Sequence, residues 1–169
     1  MTPNSIAFTA LCNEYCHSLE TCLSTSPRIF IHTMLRLLPR IYISASYIQS
    51  ESLNDGVLDA RLEEDMYNIV RSNISTLLGK YDTFLEVFEE DMKYSDTPIG
   101  SSLSENLADL YQVFYNYIET VKDVPEEISE EALYAVKEEF CNYWGQTLCN
   151  IMRPLNNIYY NTTDLDEGL

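Results

Sequence analysis

The sequence has little of what catalysis most often needs. It holds two histidines, His17 and His32, both near the start, so neither a Ser-His-Asp nor a Cys-His-Asn set is credible. Its five glycines build no loop of the kind that cradles phosphates. Positive charge is scarce: ten Lys and Arg stand against 27 Asp and Glu, a formal net charge of −17. A polyanion repels phosphate backbones and anionic lipid, which argues against nucleic acid and membrane surfaces as direct partners. Long apolar runs are missing too. The most apolar stretch, 29–48, is interrupted by His32, Arg36, Pro39 and Arg40, so a membrane span is not expected. The first residues lack a basic region, and Asn13, Glu14 and His17 break the apolar run that follows, unlike a secretory signal. Five cysteines, an odd number in helix-like patterns, fit reduced thiols in a cytoplasm.

What remains is a chain of ordinary globular composition, 169 residues and 46% apolar. That is enough to bury roughly 70% of the unfolded surface in one domain. The 13 tyrosines suit the boundary between core and water, since a phenol combines a large apolar body with one polar tip. The charge is uneven. Residues 1–50 carry three arginines against Glu14 and Glu20, net +1, whereas residues 51–169 carry seven basic and 25 acidic groups, net −18. Such a balance favours a protein partner with a basic surface, or divalent cations.

Apolar spacings of three and four recur almost throughout and predict an all-α bundle of about five main helices. The first runs from about Asn4 to Leu23. The second opens on Ser26-Pro27, a capping serine before proline, and reaches about Ile48 with a kink at Pro39. A third follows a cap at Asp59 and stops at Gly79, placed where a helix-ending glycine belongs. Tyr81 to Met92 reads as a short helix, although Leu85 and Val87 also fit strand alternation, and 93–101 reads as a loop. Ser102-Leu103-Ser104-Glu105 matches a capping box opening the fourth helix. The fifth begins at a Ser129 cap and continues to about Tyr159, bent near Gly145 and Pro154. Residues 1–160 form the domain and 161–169 a flexible tail.

Several residue groups invite chemistry. Glu14 and His17 have the Glu-x-x-His spacing of di-iron bundles, but that site needs a second copy, and Ile29 stands where His32 would need its glutamate. Cys12 and Cys16 share a helix face beside His17, without the second close pair a structural zinc wants. Glu86 and Glu89 resemble half of the paired acidic motif of all-α magnesium-dependent pyrophosphohydrolases, with Glu105 and Asp109 as the nearest further carboxylates. A magnesium-dependent small-molecule or nucleotide hydrolase on these four is therefore the alternative function. The most informative constellation is Glu105, Asp109 and Tyr111 on the fourth helix with Trp144 and Arg153 on the fifth. Asp109 lies beside the stripe of Leu107 and Leu110, where a carboxylate needs a partner. Arg153, the one basic residue after Lys137, could fork onto it. Helix register places Trp144 opposite Asp109 more readily than Arg153. These five are the candidate ligand-binding residues; no catalytic residue and no cofactor is assigned.

The same segments resemble a bacterial family known as domain of unknown function 5063. Three stretches carry the resemblance: Leu78-Gly79-Lys80-Tyr81-Asp82 with Glu86-Val87-Phe88; Gly100 through Gln112; and Trp144-Gly145 followed by Arg153 and Leu155. The family often has aspartate where Val113 stands and histidines where Tyr143, Thr147 and Asn156 stand. The resemblance implies a helical fold of this length and supplies no activity. The primary expectation is a non-enzymatic acidic module that binds another protein.

Overall fold

The computed structural model describes residues 1–49, 51, 56–86 and 99–167. The fold is all-α with one small hairpin. Its helices are α1 (Pro3–Glu20), α2 (Pro27–Ser46), α3 (Glu64–Leu78), α4 (Leu103–Val121), α5 (Glu126–Glu139) and α6 (Gly145–Asn161). The last two form one rod, joined by a π-helical turn at Phe140–Trp144. Strands β1 (Thr83–Glu86) and β2 (Ile99–Ser102) pair antiparallel, Thr83 opposite Ser102 and Glu86 opposite Ile99.

Helix starts and stops follow local chemistry where the caps are strong. Ser26 Oγ accepts from the Ile29 N–H and Ser102 Oγ from the Glu105 N–H, each satisfying a donor that the first turn leaves unpaired. Gly79 ends α3 at a φ of 54°, where a side chain is strained. Weaker signals moved. α3 starts at Glu64, not after Asp59: the Asn116 side-chain oxygen takes the N–H groups of Arg61 and Leu62 and holds that segment extended. α5 starts at Glu126, and Ser129 lies buried inside it. Pro39 sits within α2, which continues to Ser46.

The short helix expected over 81–92 is corrected over 83–86, which form β1; the rest of it, 87–92, lies outside the described residues. The loop expected at 93–101 likewise contributes Ile99–Ser101 to β2. Pairing to a neighbouring segment overrides a weak helical period in so short a run. Residues 162–167 lie against the bundle: Leu165 is buried, Asp164 accepts from Tyr81 Oη at 2.6 Å, and Arg28 reaches the Thr162 carbonyl.

One core joins all six helices. Its centre is aromatic. Trp144 lies 5.0 Å from Phe114 edge-on and 4.7 Å from Phe140, with Phe8 stacked at 6.4 Å. Tyr15, Tyr111 and Tyr117 are wholly buried rather than at the rim. Each hydroxyl finds a partner there: Tyr15 donates to the Leu107 carbonyl, Tyr111 to Glu20, and Tyr117 shares a hydrogen bond with Thr9, as a buried phenol must. All five cysteines are free thiols, Cys12, Cys16 and Cys22 buried, Cys141 and Cys149 exposed. Among the described residues no helix is long and apolar enough to cross a membrane.

Candidate functional site

The five residues singled out on α4 and the rod do not converge on one pocket. Tyr111 and Trp144 belong to the core. The Trp144 indole N–H donates to the Val136 carbonyl at 3.0 Å, and Tyr111 ties α4 to Glu20 of α1 at 3.0 Å. Burial first, then the Glu20 carboxylate, pushes the Tyr111 phenol well up. Glu105 is exposed in the first turn of α4, and Arg153 is exposed on α6.

Asp109 is half-buried and has partners other than the one expected. Tyr67 of α3 donates to its Oδ1 at 2.6 Å, and Tyr143 of the π-turn to its Oδ2 at 3.3 Å. One carboxylate thus bridges three elements. Burial and the hydrogen bond to Asp109 raise the Tyr67 phenol; burial and the nearby Asp109 charge raise Tyr143. Both phenols stay protonated donors at neutral pH.

Asp82 stands outside the residues that the sequence pattern marks as functional. It is buried between Tyr81 and β1, and it accepts the Ser104 N–H at 2.7 Å, the Ser104 hydroxyl at 2.7 Å and the Ser102 hydroxyl at 3.2 Å. Its carbonyl accepts the Leu103 N–H at 2.7 Å. A carboxylate at a helix N-terminus is favoured both by the unpaired N–H groups and by the helix dipole. The serines of the capping box were the available signal: two adjacent hydroxyls at a buried helix start need an acceptor.

Beside this anchor opens a cleft of about 330 Å³ between the hairpin and the rod. One wall is Asn142, Tyr143, Gln146, Thr147 and Asn150 from the π-turn and α6; the other is Glu86, Ser101 and Asn106. The Asn106 amide nitrogen is committed to Ser101 Oγ and the Ser102 carbonyl, which leaves its oxygen as acceptor. Glu86 is buried at the end of β1. Tyr143 and Thr147, two of the positions where the resemblance expects histidine, both line this cleft. Their neighbour Gly145 cannot carry a side chain without a clash, since a Cβ there would lie 2.6 Å from the Phe140 carbonyl oxygen.

Of the carboxylates considered for magnesium, Glu86 lines the cleft, Glu105 is in solvent, Asp109 is held by two phenols, and Glu89 lies outside the described residues. Among the described residues no three His, Cys, Asp or Glu side chains converge closely enough to hold a metal ion. Glu14 faces solvent and pairs with Arg40 at 3.7 Å. Cys12 and Cys16 are packed in the core, where burial pushes both thiols up and makes them poor thiolate ligands.

The fold is similar to the crystal structure of protein BF1032 from Bacteroides fragilis, a Northeast Structural Genomics Consortium target, with 28% identity over 96% of each chain and a TM-score of 0.81. No curated protein matches. A family model covers residues 1–161, the whole helical body, and the chain belongs to the family described as a domain of unknown function (DUF5063).

Proposed function

We propose that the protein is a non-enzymatic acidic helical module that docks on a basic surface of another protein. One observation carries the reading: among the described residues exposed carboxylates outnumber exposed cations, and two of the few cations are spent on helix ends. Arg28 donates to the Tyr159 and Thr162 carbonyls at the end of α6, and Lys137 to the Ala45 and Ser46 carbonyls at the end of α2. These are the helix ends where positive charge is favoured. Lys80, Arg61 and Lys122 lie against Asp164, Asp59 and Glu119. The carboxylates outnumber them, and exposed ones such as Glu64, Glu105, Glu127 and Glu138 face water. Such a surface steers and orients a basic partner through a field that salt screens. A reducing bacterial cytoplasm suits it, since Cys141 and Cys149 are exposed unpaired thiols.

The test is co-purification from the native host at low and high salt, with the native chain and a Glu127→Lys/Glu138→Lys variant. A partner retained by the native chain at low salt, released by high salt and lost from the variant is expected. A partner indifferent to both changes would overturn the electrostatic reading.

A further inference from the structure

We propose that the cleft between the hairpin and the π-turn binds a neutral, polyhydroxylated small molecule of roughly monosaccharide size. The argument starts from helix periodicity. Asn142, Gln146 and Asn150 follow one another at four-residue intervals, so their carboxamides form a ladder along one wall. Among the described residues none of the three makes an intramolecular hydrogen bond, while Asn106 on the facing wall keeps its oxygen outward. Tyr143 lines the cleft half-exposed, with its hydroxyl turned to Asp109.

Charge selects the ligand class. The described lining contains no lysine, arginine or histidine. With a net charge of −17 around it, the cleft repels phosphates and carboxylates. An amine fits poorly for a different reason. An ammonium only donates hydrogen bonds, so it can use the carboxamide oxygens but leaves their N–H groups without an acceptor. A hydroxyl both donates and accepts. A row of hydroxyls matches a row of carboxamides, with the Asn106 oxygen accepting from the opposite side. The size agrees: about 330 Å³ is at the small end of ligand pockets, and the polar lining departs from the mainly apolar walls most small-molecule sites have. The ladder sits on a rod fixed by Trp144 packing, so it is pre-ordered for binding.

The experiment is a titration of the full ¹⁵N-labelled chain, followed at the side-chain amide resonances. The probes are glucose and sorbitol, with putrescine and inorganic phosphate as contrasts. Either polyol should shift the Asn142, Gln146 and Asn150 amide signals saturably. Gln146→Ala, which removes an exposed side chain, should leave the melting point in place and weaken binding about tenfold, the effect of losing a hydrogen-bonded contact or two. Gln146→Glu should weaken it as well, by removing the donors at constant shape. No saturable shift with either polyol overturns the proposal. So does a larger response to putrescine or phosphate at equal concentration, or polyol binding that survives both variants.

Discussion

Two aspartates serve helix α4, and they do so in opposite ways. Asp82 is buried and meets three donors, one of them a backbone N–H in the first turn of the helix. Asp109, two turns along α4, is half in solvent and meets two phenols from α3 and the π-turn. The first closes a helix end and leaves nothing to adjust. The second fastens three elements through side chains, which rearrange at smaller cost. A carboxylate's donors, and not its position beside an apolar stripe, decide whether it acts as an anchor or as a clasp.

Asp82→Ala is the severest way to break this contrast. It strips the acceptor from a buried backbone N–H and two hydroxyls, and should cost about 2–3 kcal/mol. For a chain of this size that lowers the melting point by roughly 5–10 °C, which calorimetry would read. Asp109→Ala should cost less, about 1 kcal/mol, because its phenols can turn to water. Equal losses for the two variants would end the comparison. Ser104→Ala, which leaves the Asp82 carboxylate its backbone donor, should fall between no effect and about 1 kcal/mol.

Alkaline titration sharpens the contrast at the Asp109 end. The Tyr67 phenol is raised in the folded protein, so the folded state holds that proton more tightly than the unfolded chain does. Its contribution is complete below the ordinary phenol value of about 10 and is lost as pH rises through and above it. The fall of melting point above pH 10 should therefore be shallower in Tyr67→Phe, and Asp82→Ala should not change its slope. The smallest effect concerns thiols. In the native chain Cys141 and Cys149 should alkylate quickly, and Cys12 and Cys16 only through opening of the core. Mass spectrometry should show the slow pair labelling faster in Asp82→Ala than in Asp109→Ala, and five labels after unfolding.

The helices were legible because a 3.6-residue period survives in the sequence, and the α4 start was legible from its serines. The π-turn was legible only in retrospect. Val136, Phe140, Trp144 and Leu148 recur at intervals of four, and at 100° per residue three such steps drift by about 120° from one face. A turn with one extra residue takes up the drift and keeps all four inward. The hairpin was not legible, since four-residue strands carry too little period to outweigh a helical alternative. At the site, the edge of an apolar stripe marked Asp109 as needing a partner. Charge suggested Arg153, but phenols from α3 and the π-turn, 42 and 34 residues away in sequence, hold it. Nothing in a local pattern encodes that distance.

The single tryptophan has a practical consequence. Trp144 is wholly buried, its indole N–H is engaged by a backbone carbonyl, and three phenylalanine rings enclose it. The molecule therefore carries a built-in fluorophore at the junction of α4, α1 and the π-turn. Its emission should be short in wavelength and shielded from iodide while the fold is intact. A red shift would announce, without any label, that this junction has opened to water.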